Sequence, residues 1–425
     1  MRREWPSLSS LVLLCLAAAH ANAQPWSGIL APSRAINWTT AGVAGSIPTR
    51  STICATLNPG ATAAQINSAI ASCPANQVVK LNAGTYNLSG GIDFGGHSNV
   101  TLRGAGPDQT FVKFSAWAGC MGLGGNVCVI NPSGMNPDNV QNSANWTAGY
   151  SVGTTSITLS STTGLSVGSI LFLDQLNDAN TDNGQVWMCD LFPYCATEGG
   201  EGLTRANRAQ VQPVVVTSVN GQTVGINRGL YMPNWRSSQS PQGWWSNDVI
   251  SGDGIEDISL DYTAASGAVG IFFGGARDCW VKNVRSLNSA RAAVWMDFAT
   301  RITVRDSYFF GTQNAASQSY GIETDSVSDL LVENNIFQHV TAGTPLGKAA
   351  AGTAYGYNFA IDDYYCGGTC PSDWQQALPC AVRLASRRAG SLRLSKCRFW
   401  RRRARPTSAA EDRCGRGSSE FLWLA

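Results

Sequence analysis

The segment IFFGGARDCWVKNVRSLNSARAAVWMDFATRITVRD (271–306) decides the fold, because a short pattern in it recurs throughout Val249–Asn335. Each repeat has two β-rich runs separated by polar or glycine-rich corners, such as GIFF followed by CWVKNV. Successive repeats are 21, 23 and 28 residues apart, within the range of solenoid proteins. Two short strands cannot bury a hydrophobic face alone, so the repeats must stack. The pattern therefore predicts an all-β solenoid with parallel sheets and about 4.8 Å between coils.

Four columns of equivalent residues follow from aligning the repeats. The reference column is Leu260, Val281, Val304 and Val332. Ten positions earlier stand Ile250, Ile271, Val294 and Ile322. Seven positions earlier stand Asp253, Gly274, Asp297 and Asp325. Two positions later stand Tyr262, Asn283, Asp306 and Asn334, which we expect at a corner, bonding along the stack.

The flanking segments differ in composition from the repeats. Residues 1–23 are typical of a cleaved secretory signal peptide, and residues 24–53 of an extended lead-in. The solenoid is expected over residues 54–375, with an antiparallel β-rich insertion at about 131–235 that contains the turn signal Asn220-Gly221. The amphipathic segment Thr62–Cys73, with Thr62 as N-cap, predicts a helix that covers the open N-terminal end of the solenoid.

The C-terminal residues 376–425 are basic and follow no strand or helix period. Residues 381–425 hold 12 of the 30 basic residues, which leaves 18 basic and 25 acidic residues in the first 380. This distribution argues against a nucleic-acid-binding protein. A basic tail that binds an anion and a small folded module are alternatives for this segment, but we favour an out-of-frame or truncated terminus.

Thirteen cysteines in a chain with an export signal predict disulfides. We expect the local pairs Cys54–Cys73, Cys120–Cys128 and Cys189–Cys195, whereas Cys279, in a repeat strand, is expected to be a buried free thiol. No segment after the signal is long and apolar enough to span a membrane. The mature protein is thus expected to be secreted, extracellular or periplasmic, and monomeric.

The segments VKLNAGTYNLSGGIDFGGHSNVTLRGAG (79–106), ISGDGIEDISLD (250–261) and ITVRDSYFFGTQNAASQSYGIETDSVSDLLVENNIFQHV (302–340) resemble the pectin-lyase-like family of right-handed parallel β-helices. The resemblance covers roughly residues 50–375 and implies a polysaccharide ligand. Polygalacturonases of this family carry a Gly-His-Gly motif and an Arg-Ile-Lys motif. This chain has no Gly-His-Gly, and Arg301-Ile302-Thr303 lacks the lysine, so the resemblance does not extend to that active site.

A sugar-binding surface is predicted from strand alternation. Since Ile271, Val294 and Ile322 must face the core, Phe272, Trp295 and Glu323 turn outward and form a candidate substrate-binding column. Exposed aromatic rings suit the flat C–H faces of sugars. The alternative is that the insertion covers Phe272 and Trp295.

The candidate catalytic residues are Asp297, Asp325 and Lys348. The two carboxylates fall in one column on neighbouring coils, about 5 Å apart, which suits acid–base catalysis and resembles retaining glycosidases. Alternatively, Asp253, Asp297 and Asp325 hold Ca²⁺ and Lys348 acts as the base of a lyase. A purely structural role, in which these aspartates bond corner amides, is the third interpretation.

Together these features predict an exported carbohydrate-active protein, a polysaccharide lyase or a glycoside hydrolase that acts on a pectin-like or other acidic polysaccharide. A non-catalytic β-helix that binds glycans or mediates surface attachment is the alternative. There is no phosphate-binding GxxxxGK[ST] loop and no HExxH in the chain.

Overall fold

The computed structural model describes residues 37–116, 120, 124–131, 137, 139–177, 204–265, 269–313, 319–344 and 350–361. In chain order the strands are β1 Ile53–Leu57, β2 Gln77–Leu81, β3 Gly84–Leu88, β4 Ile92–Asp93, β5 Val100–Arg103, β6 Thr110–Phe114, β7 Gly125–Ile130, β8 Asn142–Ala148, β9 Ser156–Leu159, β10 Ile170–Gln175, β11 Gln210–Asn220, β12 Thr223–Ile226, β13 Gln242–Trp245, β14 Ile250–Ser251, β15 Gly254–Asp261, β16 Val269–Gly274, β17 Ala276–Arg277, β18 Trp280–Ser289, β19 Ala292–Asp297, β20 Thr303–Arg305, β21 Tyr308–Thr312, β22 Tyr320–Asp325, β23 Leu331–Glu333, β24 Ile336–Gln338, β25 Ala354–Gly356 and β26 Phe359–Ile361. The helices are α1 Ala63–Ser72 and two short 3-10 turns, Trp38–Thr40 and Ser237–Gln239.

Parallel sheets build a solenoid, which confirms the predicted β-helix. A thirteen-stranded sheet follows the order β1-β2-β5-β15-β18-β20-β23-β25, with β3, β6, β21, β24 and β26 branching from it. A five-stranded sheet has the order β22-β19-β16-β7-β4. A third, short ladder starts with β14 and β17 and continues as single bridges from Arg277 to Thr300, Ser328 and Ala351. The fully buried aliphatic residues between these sheets form one continuous core.

The register agrees with the predicted columns from Ile271 onward and corrects them before it. Val281, Val304 and Val332 stack as expected, but the residue next to Val281 is Ile255 rather than Leu260. Likewise, the residue next to Ile271 is Val127 rather than Ile250. The reason is that the coil stacked next to Ile271 and Val281 begins with β7 and is completed by β15, and the insertion lies between these two strands. The ten-residue spacing cannot hold across an insertion of that length, so the positions assigned to Ile250, Asp253, Leu260 and Tyr262 are wrong.

The polar corner is a ladder of side-chain hydrogen bonds. Asn283 Nδ2 donates to Asp257 Oδ1 over 2.7 Å, and Asn334 Nδ2 donates to Asp306 Oδ1 over 2.7 Å. All four residues have φ between 52° and 55°, a left-handed conformation that Asn and Asp tolerate better than other non-glycine residues. The corner is therefore structural, with Asp257 at the position that the sequence alignment gives to Tyr262.

The predicted capping helix and two of the three predicted local disulfides are confirmed. Helix α1 begins with a capping box in which the Thr62 hydroxyl accepts from the Gln65 backbone N–H and the Gln65 side chain accepts from the Thr62 backbone N–H. Ile66 and Ile70 are buried against the first coils. The bonds Cys54–Cys73 and Cys120–Cys128 are formed, and Cys279 is a buried free thiol.

The insertion is a closed antiparallel barrel with strand order β10-β11-β12-β9-β8-β13. The Asn220-Gly221 turn joins β11 to β12 as predicted. A separate hydrophobic cluster that includes Trp146, Leu171 and Trp245 fills the barrel.

The barrel is attached to the coils through buried contacts. The Phe298 ring makes edge contacts with Phe172 and Trp244 of the barrel. The buried Asp329 carboxylate accepts hydrogen bonds from the Tyr231 hydroxyl and from Asn227 Nδ2. Barrel and solenoid thus share both apolar and charged contacts.

The described part of the lead-in crosses the outer face of the large sheet. The Gly42 N–H donates to the Asp329 carbonyl over 2.8 Å, and the Val43 N–H donates to Thr303 Oγ1 over 2.9 Å. Further along, the guanidinium of Arg50 lies 5.1 Å above the Trp280 ring and donates to the Gly252 carbonyl. The segment therefore joins several coils that are far apart in sequence.

Several sequence predictions fall outside the described residues: the signal peptide at 1–23, the pair Cys189–Cys195, Lys348 and the tail at 376–425. Within the described residues, no helix has both the length and the apolar character needed to cross a membrane.

Candidate functional site

The five-stranded sheet presents two outward columns. Ile271, Val294 and Ile322 stack and face the core as predicted. One residue further on, Phe272, Trp295 and Glu323 stack on the outer face. The second outward column is Ile130, Gly274, Asp297 and Asp325.

Asp297 and Asp325 occupy matching positions on adjacent strands. They are register partners in β19 and β22, so their backbones are about 4.8 Å apart. Both are 5% exposed. The Trp295 indole Nε1 donates a hydrogen bond to Asp325 Oδ2 over 2.8 Å, which fixes the carboxylate and the ring relative to each other. This arrangement is a carboxylate pair with an aromatic ring beside it.

Phe272 does not offer a face to a sugar, contrary to the prediction. It is 1% exposed and packs with Cys120, Cys128 and Ile130, so the covering residues belong to the neighbouring coil and its disulfide. Its ring centroid lies 4.9 Å from that of the partly exposed Trp295, at an interplanar angle of 53°. Phe272 therefore supports Trp295 from the side.

Glu323 is buried and paired with Arg291. Arg291 Nη2 donates to Glu323 Oε1. The guanidinium carbon of Arg291 lies 5.8 Å from the Trp295 ring centroid and 5.9 Å from that of Tyr320. These are cation–π distances, so one cation lies near two partly exposed rings.

Sequence reasoning missed Arg291 and Tyr320. Arg291 lies in the turn between β18 and β19, outside every repeated column, and Tyr320 is the first residue of β22. The sequence signal for them is weak: Arg291 comes immediately before the strand that carries Trp295, and Tyr320 begins the strand that carries Glu323.

Asp253 is remote in register from the other two aspartates. Its Oδ1 accepts from the Val100 backbone N–H over 2.8 Å, and its backbone N–H donates to Cys279 Sγ over 3.4 Å, both at the large sheet. Burial raises the pKa of Asp253 well above its usual value, and the nearby Arg50 opposes this shift only in part. The predicted grouping of Asp253 with Asp297 and Asp325 around a metal is therefore wrong.

A calcium ion is not supported by the donors in place. Ca²⁺ takes six to eight oxygens, whereas Asp297 and Asp325 supply two carboxylates, one oxygen of which already accepts the Trp295 N–H. Among the described residues, no group of three or more His, Cys, Asp or Glu could hold a metal ion.

Comparisons with known proteins returned solved structures only. No protein-family model matches the chain. No curated protein matches it either. The tailspike gp61 of Pseudomonas phage phi297 aligns with 13% identity and a TM-score of 0.48, over 71% of this chain and 45% of that one. The tailspike gp49 of Pseudomonas phage LKA1 aligns with 14% identity and a TM-score of 0.40, over 68% and 43%.

A family 28 exopolygalacturonase of Yersinia enterocolitica aligns with 13% identity and a TM-score of 0.25, over 73% of this chain and 60% of that one. The chain spans less than half the length of the two tailspikes that it matches. Because these TM-scores are below 0.5, the similarity says nothing about the activity of this chain.

Proposed function

We propose that the chain is an exported carbohydrate-active enzyme that hydrolyses an acidic polysaccharide on the outer face of the five-stranded sheet. The observation that carries the proposal is the pair of Asp297 and Asp325, in register on adjacent coils and linked through Trp295 to a partly exposed aromatic surface. Carboxyl groups about 5 Å apart are typical of retaining glycosidases. The export signal predicted from the sequence and the two disulfides agree with an extracellular enzyme.

The division of roles follows from the hydrogen bond to Asp325. Because the indole N–H of Trp295 holds Asp325 as an oriented acceptor, Asp325 is the nucleophile in this mechanism. Its oxygen bonds to the anomeric carbon while the glycosidic C–O bond breaks, and Asp297 gives its proton to the leaving oxygen. A water molecule then attacks the same carbon and gives a proton to Asp297. The bond from that carbon to Asp325 breaks, which releases the Asp325 carboxylate. The sugar ring lies against Trp295.

The experiment is a degradation assay on polygalacturonate, alginate and hyaluronate that records both reducing ends and ultraviolet absorbance of unsaturated products. The mechanism predicts new reducing ends without unsaturated products. Asp297→Asn should reduce turnover at least about a hundredfold, the usual range for loss of an acid–base group. Asp325→Asn should reduce it at least as much, because it removes the nucleophile. Asp306→Asn is the matched control, because Asn already occupies the equivalent corner position at Asn283 and Asn334.

Two outcomes would overturn the hydrolase. Unsaturated products that depend on added Ca²⁺ and are lost in Lys348→Met would support the lyase. Binding of a polysaccharide without cleavage would support a non-catalytic glycan-binding β-helix. Equal turnover in the wild type and in both aspartate variants would remove Asp297 and Asp325 from the site.

A further inference from the structure

Arg291 is the charged side chain at the centre of the aromatic surface. It lies in the turn before β19, and its side chain is 39% exposed. Trp295 and Tyr320 lie at nearly equal distances from its guanidinium. It thus lies next to the Trp295 ring, whose indole N–H is bonded to Asp325.

Arg291 retains unused hydrogen-bond donors. Its Nη2 is bonded to Glu323, and its buried Nε has no hydrogen-bond partner. Among the described residues, the side chain makes no other hydrogen bond or ion pair. Arginine carries five N–H donors in a planar fork. Since Nε is buried and one Nη2 N–H is bonded to Glu323, the remaining Nη donors are the ones available to a ligand.

Arg305 provides the comparison within the same molecule. Its side chain is also 39% exposed, but it bonds Asp306 over 2.8 Å and Glu333 over 3.0 Å on the outer face of the large sheet. Arg305 is therefore held between two acids, whereas Arg291 has one acid and two aromatic rings. The single pair with Glu323 orients the guanidinium without occupying it.

The charge of the site makes this cation necessary for an acidic substrate. The Asp325 carboxylate repels an anionic sugar placed beside it, and Arg291 supplies a positive charge next to the Trp295 ring. A guanidinium binds a carboxylate through two parallel N–H···O bonds, a geometry that a hydroxyl cannot match.

We propose that Arg291 is a specificity-determining residue that binds the carboxylate of the uronic acid unit whose ring lies against Trp295. This inference rests on the proposed function, because it names the substrate class of the same site. Glu323 then acts as a positioning residue that holds the Arg291 guanidinium toward the ligand.

The test compares binding of polygalacturonate, alginate and hyaluronate with binding of their carboxyl-reduced, neutral forms, measured by calorimetry. Wild type should prefer at least one acidic polymer over its neutral form. Arg291→Met should weaken binding of that acidic polymer about tenfold to hundredfold, as expected for one charge-assisted contact, and leave binding of the neutral form unchanged. Arg291→Lys should keep part of the preference, and Arg305→Met should keep all of it.

Three results would overturn the inference. In the first, Arg291→Met binds the acidic and the neutral form as the wild type does. In the second, Arg291→Met loses binding of both forms equally, which would make Arg291 only a packing support for Trp295. In the third, the wild type binds neither form, and then the proposed function fails as well. Selective binding without cleavage would sustain the role of Arg291 while removing the hydrolase.

Discussion

Replacing Trp295 by Phe isolates the hydrogen bond that links the aromatic surface to the carboxylate pair. The substitution removes the indole N–H, which donates to Asp325 Oδ2 over 2.8 Å, and keeps an aromatic ring beside Phe272. A hydrogen bond to a charged group contributes about 1.5–3 kcal/mol. Since 1.4 kcal/mol is a factor of ten, kcat/KM should fall roughly tenfold to a hundredfold.

The chain contains a matched control for this substitution. Trp280 Nε1 donates to Glu256 Oε1 over 2.7 Å, the same type of bond on the other sheet. Trp280→Phe leaves the buried Glu256 carboxylate with one donor fewer, so it should lower the free energy of unfolding by about 1–3 kcal/mol. It should leave kcat/KM unchanged.

Steady-state kinetics on the polymer that the wild type degrades, together with urea unfolding, separate the two effects. Unchanged kcat/KM in Trp295→Phe would refute the reasoning. An equal loss of kcat/KM in both variants would also refute it, because the effect would then come from the fold rather than from Asp325.

Three further predictions concern the framework. Burial raises the pKa of Asp253, so the contribution of this residue to stability is present below pH about 4 and is lost as the pH rises through the raised pKa of the folded state. In urea unfolding, the free energy of unfolding of Asp253→Asn should therefore increase relative to that of the wild type from pH 4 to pH 8. A constant difference between the two proteins would contradict this. Tyr231→Phe removes a donor from the buried Asp329 and should lower the free energy of unfolding by about 1–3 kcal/mol, measured by urea denaturation; no change would show that the contact is not formed. Thr62→Ala removes the helix cap and should lower the thermal midpoint through a loss of about 1 kcal/mol, whereas Thr62→Ser should not; equal midpoints for the two variants would contradict the cap.

The sequence predicts the coil register well where the coils are continuous. From Ile271 to Val332 each coil has both of its strands in sequence, so apolar periodicity alone aligns Ile271 with Val294 and Val281 with Val304. The alignment fails at Ile250, because the barrel separates β7 from the rest of its coil. No local pattern indicates how far apart in sequence the two halves of that coil are.

The candidate site was predictable in part. Asp297 and Asp325 could be placed together because strand register fixes columns. The burial of Phe272 could not be predicted, since it depends on Cys120 and its disulfide partner in the preceding coil. Arg291 lies in a turn, where side-chain direction is set by contacts with Glu323 and two rings rather than by strand alternation.

The stereochemistry of the first product tests the carboxylate pair most directly. Proton NMR of the reducing end formed during the first minutes of hydrolysis distinguishes the anomers before they equilibrate. Asp297 and Asp325 are register partners on adjacent strands whose backbones are about 5 Å apart, so their carboxyl groups are expected at the short separation that predicts retention of the anomeric configuration. Inversion would require the wider separation that admits a water molecule between the two carboxyl groups, and it would contradict the assignment.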